Sequence, residues 1–178
     1  MRADAKRHRE TLVLAATRVF TRQGGDAPLQ AVLDEAQLGR GTLYRHFPDR
    51  EALLVAVFEH VHVELSGLFA EHRHSPELLR HFLCASAKLK PPLARMPTNV
   101  DTDRIIALTE PVRRKFVTLQ QEIVDAAILS GVVRPDFDAA NMALAVSMII
   151  GAGQTANWDY DKAIDTAIDI IIRGFSKD

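Results

Sequence analysis

Residues 39–54 read Gly39-Arg40-Gly41-Thr42-Leu43-Tyr44-Arg45-His46-Phe47-Pro48-Asp49-Arg50-Glu51-Ala52-Leu53-Leu54. Leu43 and Phe47 are four apart and share one helix face, which fixes a short helix against a core. Arg40, Thr42, Tyr44, Arg45 and His46 are left as polar groups on the other faces. Pro48 stops the segment. Asp49 suits the N-cap of a further helix, and Glu51 its positive end. Upstream, Pro28 suits the first turn of a helix that turns Leu29, Val32 and Leu33 inward. Gln37-Leu38-Gly39 is a short break between the two. Two short helices joined by a tight turn are a helix-turn-helix, here residues 28–47. Its second helix needs a slim N-terminal end to enter a major groove, and Gly41 supplies one. Arg40 can reach guanine O6 and N7 or a phosphate, and Thr42 offers a hydroxyl and a methyl. Tyr44, Arg45 and His46 are hydrogen-bond donors along the duplex edge. Arg50 follows at the next helix start, where backbone N–H groups also attract phosphate.

Outward from this stretch the chain reads as helices throughout. Leu12, Ala15, Ala16, Val19 and Phe20 share one face of a preceding helix, which Gln23-Gly24-Gly25-Asp26 ends. Leu53, Leu54, Val57, Phe58, Val61, Leu65, Leu68 and Phe69 continue the helix begun at Asp49. Ser75-Pro76-Glu77 opens another, to about Lys90, and residues 91–102, with Pro91, Pro92 and Pro97, read as irregular. Pro111 reads as the start of a long helix that stops at Ser130-Gly131. Residues 138–153 are apolar nearly all round, and residues 160–175 line up Ile164, Ile168, Ile171, Ile172 and Phe175. Runs of alternating polarity are absent, so the expected class is all-α. A three-helix N-terminal bundle carries the helix-turn-helix and joins a C-terminal helical domain.

The stretch 39–54, together with Leu12-Val13-Leu14-Ala15-Ala16 and Val19-Phe20, resembles the tetracycline-repressor (TetR) family of transcriptional regulators. The resemblance covers about the first 55–60 residues and is specific there. It implies a DNA-binding head, residues 1–48, and a ligand-binding and dimerisation body, residues 49–178. By motif position Arg40, Gly41 and Thr42 would face bases, while Tyr44, His46 and Arg50 would hold phosphates. Family members are usually repressors that a small molecule releases from a palindromic operator. Two departures stand out. Gln37 stands where many members place a turn glycine, and Ala27-Pro28 where many begin the second helix with Thr or Ser. Gln30 is the residue placed to supply part of the phosphate contact so lost. The expected DNA-contacting set is therefore Gln30, Gly39, Arg40, Gly41, Thr42, Tyr44, Arg45, His46 and Arg50.

Charge supports this division. The net charge of the 178 residues is −1, but nine of the 22 Lys and Arg and only six of the 23 Asp and Glu lie in residues 1–50. A basic end on an acidic body suits a phosphate-binding head. Arg2, Lys6, Arg7 and Arg9 read either as a flexible arm along DNA or as a frayed terminus. Cys84 is the one cysteine, so no internal disulfide forms and the cytoplasm is the expected compartment. No leader or membrane span is read: Glu10, Thr11, Arg18 and Arg22 interrupt the N-terminus, and the apolar stretch near Met142–Gly153 is short.

In the body, Phe58, Val61, Leu65, Phe82, Cys84, Phe116 and Trp158 are the expected effector-pocket residues. Met142, Val146, Ile149, Ile150, Ile164, Ile168 and Ile171 are the expected face for a second subunit in a homodimer. Of the histidines, His60, His62, His72, His74 and His81 cluster in sequence without i, i+4 pairing, so no metal is expected. Asp161, Asp165 and Asp169 read as a solvated stripe. No cofactor or catalytic group is read, because nucleophile–base spacings and phosphate loops are absent. The expected partners are double-stranded operator DNA, a small-molecule effector and a second copy of the chain. An activator of the same fold, a helical enzyme and a dimerising scaffold are the alternatives.

Overall fold

The structure, a computed structural model, describes residues 2–89, 102–152 and 159–176. Eight helices occupy them: α1 Arg2–Gln23, α2 Leu29–Ala36, α3 Arg40–His46, α4 Arg50–His72, α5 Leu78–Leu89, α6 Thr102–Leu129, α7 Ala139–Ala152 and α8 Tyr160–Phe175. No strand forms among the described residues; Val133 and Ser176 make a single antiparallel bridge.

Two compact units result. The first runs to His62 and takes in α6 as far as Val112; the second holds Val63–Leu89 and the described residues from Arg113 onward. The first unit therefore reaches past residue 48, and α4 and α6 each contribute to both. In it, Leu12, Ala15, Ala16, Val19 and Phe20 of α1 bury against Val32 and Leu33 of α2, Leu43 of α3 and Phe47. Arg18 and Arg22 of α1 both donate to the Glu35 carboxylate of α2, at 2.7 and 2.6 Å. The Arg22 bond, then the Arg18 bond, holds that carboxyl below its ordinary range.

Helix α1 starts at Arg2, so the N-terminus read as either a flexible arm or a frayed end is helical instead. Its first turns carry Arg7–Asp4 and Lys6–Glu10 pairs at helical spacing, which favour continuing the helix outward. Pro111 also departs from expectation: it lies inside α6 rather than at its start. The preceding segment buries Ile105 and Thr109, and Thr109 donates its hydroxyl to the Ile105 carbonyl at 2.7 Å. Packing of that face outweighs the roughly 3 kcal/mol that an interior proline costs a helix.

Helix α4 is long and apolar enough to cross a membrane by length and composition. Leu53, Leu54, Ala56, Val57, Phe58, Val61 and Leu65 along it are buried in protein. Among the described residues no group of three or more potential metal ligands comes together.

Helix ends follow local rules with one exception. Gly24 after α1 and Gly131 after α6 take φ of +89° and +72°, the left-handed conformation that a Cβ disfavours. The turn after α2 uses the same device with Gln37, at φ +54°. Its N–H bonds to Asp34 O and that of Leu38 to Leu33 O, while its side chain is exposed. Gln37→Gly removes the strain of a Cβ there, about 1–2 kcal/mol, and returns part of it through a freer unfolded chain. We expect a net gain of about 0.5–1 kcal/mol in denaturant melts. A less stable variant would show that the Gln37 side chain holds the turn.

Candidate nucleic-acid interface

Helix α3 is pinned on one side and bare on the other. Leu43 and Phe47 are about 2% exposed, whereas Tyr44 is 54% exposed. Arg40, Gly41 and Arg45 are also exposed, and Thr42 and His46 are half-buried. Gly39 caps the helix in an extended conformation and neither glycine has positive φ. A Cβ built on Gly39 or Gly41 would meet nothing within 4 Å. Neither glycine is thus required by the chain's own packing. What they preserve is open space at the front of α3.

Helices α2 and α3 are also linked through polar side chains. The Arg40 guanidinium donates to Gln30 Oε1 at 3.1 and 3.3 Å, and Gln30 Nε2 donates to Asp34 Oδ1 at 2.8 Å. Gln30 and Arg40, which the sequence suggested as separate contacts, form one chain that holds the guanidinium at the mouth of the turn.

Arg50 corrects the reading from sequence. Its guanidinium turns inward and donates to Gly25 O and to Ala27 O, the latter at 2.7 Å, and lies 5.9 Å from the centre of the Phe20 ring. Both loop residues are buried, so Arg50 satisfies carbonyls that water cannot reach. With Pro28 at the N-cap of α2 offering no side-chain cap, Arg50 organises this loop rather than waiting for a phosphate. No sequence motif signals that role, because the partners are carbonyls more than twenty positions away.

His46 is likewise less free than expected. Its Nε2 is buried without a hydrogen-bond partner. Burial, then Arg45, His8 and Arg9, holds the imidazole below its ordinary pKa.

Residues 12–57 match the family described as bacterial regulatory proteins, tetR family. That span holds α2, α3 and the start of α4, the geometry just described. The helix-turn-helix segment thus carries the tetR-family signature. The fold of the chain agrees over its whole length with TetR-family structures. One is a TetR transcription regulatory protein from Mycobacterium vanbaalenii, 24% identical, covering 99% of both chains with a TM-score of 0.67. Another is a TetR transcriptional regulator from Streptomyces coelicolor, 25% identical, covering 94% of this chain and 98% of that one with a TM-score of 0.65. A third, from Agrobacterium tumefaciens, is 14% identical, covers 97% and 100%, and has a TM-score of 0.69. No curated protein matches in sequence.

In the body of the chain the expected residues fall differently. Phe58, Val61, Leu65 and Phe82 are core, Phe116 is half-buried, and Trp158 lies outside the described residues. Cys84 lines a cavity of about 320 Å³ with Lys88 of α5 and Tyr160, Asp161, Ile164 and Asp165 of α8. Burial pushes its thiol pKa up, which makes it a weak nucleophile. The acidic stripe of α8 is not simply solvated: Asp169 pairs with Arg80 of α5, and Asp161 and Asp165 face the cavity.

The residues expected on the dimer face lie mostly inside the subunit. Met142, Ile149, Ile150, Ile164, Ile168 and Ile171 are 0–7% exposed inside the subunit, and Val146 is half-buried. The apolar side chains that α7 and α8 turn outward are Leu144, Met148 and Ile170, each more than half exposed. Gly151 and Gly174 lie exposed on the same two helices, with open space where a Cβ would be.

Proposed function

We propose that this chain is a homodimeric transcriptional repressor that reads a pseudo-palindromic operator and is released by a small molecule bound in its body. The observation that carries the DNA-reading part is the front of α3. Arg40, Tyr44 and Arg45 are exposed beside two glycines whose open space nothing in the chain fills. An edge that is slim, polar and cationic matches a major groove. In this reading residues 1–48 read DNA and residues 49–178 respond to ligand and pair the subunits, in the cytoplasm and without an enzymatic step. Pairing uses the Leu144, Met148 and Ile170 face, since three large apolar side chains on adjacent helices favour cover by a second copy. The α5–α8 cavity falls in the size range of small-ligand sites and offers an apolar wall with Lys88 and two carboxylates for orientation.

Selection from a random duplex library, followed by footprinting, tests this. The expected product is one sequence with two half-sites about a turn apart. Tyr44→Ala should weaken binding to every sequence. Thr42→Ala should relax preference at one base position, by about 1–3 kcal/mol for a direct contact. Selection that enriches no sequence, or a single protected half-site from a monomer, overturns the proposal.

A further inference from the structure

Helices α5 and α8 pack in a register that three residues on each define. Arg80, Cys84 and Lys88 recur every fourth position on α5 and share one face, and Asp169, Asp165 and Asp161 do the same on α8. Arg80 pairs with Asp169, and the Tyr160 hydroxyl donates to the Ala87 carbonyl at 3.1 Å. Contacts of 80 with 169 and of 87 with 160 mean that the two helices run antiparallel. The same register sets Cys84 against Asp165 and Lys88 against Asp161, and all four line the α5–α8 cavity. Burial, then the neighbouring Asp165 carboxylate, pushes the Cys84 thiol pKa up, so the thiol stays neutral.

The three rungs of this ladder differ. The first, Arg80 to Asp169, is base against acid and closed. The third, Lys88 and Asp161, has both charges, but neither is in an ion pair among the described residues. The middle rung has an acid and no base: a neutral thiol stands opposite Asp165. The cavity lining therefore sets one ammonium against two carboxylates, one negative charge in excess, around about 320 Å³. A metal ion suits this space poorly, because among the described residues no three potential ligands converge. An organic cation matches both the charge and the volume. Ile164 is buried and forms an apolar wall on which an alkyl stem can lie. We propose that the α5–α8 cavity binds a small organic monocation, a protonated amine on an apolar stem, whose ammonium supplies the positive charge that the middle rung lacks. The site rests on the reading of this cavity as the effector site and gives that effector a charge and a size. Its occupant ties α5 to α8 at a second rung, on the helix that carries Ile170 of the proposed pairing face.

The test uses the full chain and three probes of equal stem length: n-hexylamine, 1-hexanol and hexanoate, at neutral pH and low salt. Titration calorimetry and thermal shifts read their binding. Hexylamine, protonated at this pH, should bind roughly three- to tenfold more tightly than hexanol, the range for a partly exposed charge pair with two carboxylates nearby. Hexanoate should bind more weakly than hexanol. The preference for the amine should shrink in about 0.5 M salt, as a charge interaction open to solvent does. Asp165→Asn, at an exposed position, should abolish that preference and leave hexanol affinity within about twofold. Cys84→Lys puts a base in the middle rung, so it should remove amine binding while Tm stays at or above that of the wild type. Should Cys84→Lys fail to fold, Asp165→Asn and the salt series still decide. No binding of hexylamine at about 10 mM, equal affinity for the three probes, an unchanged preference in Asp165→Asn, or amine binding retained by folded Cys84→Lys overturns the site. The effector reading fails separately: an amine that binds with this selectivity yet leaves operator affinity unchanged upholds the site and removes its regulatory role.

Discussion

Arg50→Ala is expected to destabilise the chain by about 2–4 kcal/mol, because two charge-assisted hydrogen bonds disappear and two buried acceptors are left unmade. The guanidinium joins the start of α4 to the α1–α2 loop through Gly25 O and Ala27 O. Pro28 lacks an N–H and caps no helix donor, so it offers no substitute. Arg50→Lys should recover part of the loss, as a single ammonium cannot span both carbonyls with Arg geometry. Urea melts give the magnitude. The salt dependence of DNA binding, measured where the variant is still folded, should stay near that of the wild type. A stable Arg50→Ala chain whose salt slope falls by about one would instead place Arg50 on a phosphate.

On the proposed pairing, Leu144→Glu/Met148→Glu should leave the chain monomeric. Both side chains are more than half exposed in the subunit, so a monomer tolerates the charges. A paired interface would have to bury four of them without partners, which is prohibitive. Operator affinity should then fall on the order of 10²–10⁴-fold, the loss expected when two tethered heads become independent. Light scattering and a titration of the selected duplex read the two effects. Circular dichroism should show helical content near wild type. A double variant that remains dimeric removes α7 from the interface. The contrasting change, Ile149→Glu, strikes a side chain that is 1% exposed inside the subunit, and should unfold the body rather than separate it.

What could be read from sequence was local. The α1 and α3 faces follow from apolar residues three and four apart, and α3 is recognisable because Gly41, Tyr44, Phe47 and Asp49 occupy fixed offsets in one short stretch. Gln37 stands where the family resemblance places a turn glycine, and it takes the positive φ that glycine favours. Long-range choices were not legible. The destination of the Arg50 guanidinium depends on two backbone carbonyls that have no side-chain signature. Periodicity finds an apolar face but not its partner. In α7, apolar nearly all round, nothing in the sequence separates the Met142 and Ile149 side, which the subunit buries itself, from Leu144 and Met148, which it leaves open. Pro111 misled because a proline inside a helix and one at its start differ only in what the preceding residues bury.

The Arg104–Asp49 bond bears on the order in which this chain becomes whole during synthesis. Asp49 caps α4, and its second oxygen is held by a residue 55 positions later. Ile105, Thr109 and Val112, on the same stretch of α6, are buried in the first compact unit. The three helices of the reading head leave the ribosome early, yet the unit that contains them closes only after α6 has emerged. Until then the nascent chain exposes the apolar surface that α6 will cover, a state open to chaperones and to misassembly. A translation pause before residue 102 would prolong that interval, whereas one after residue 112 would not.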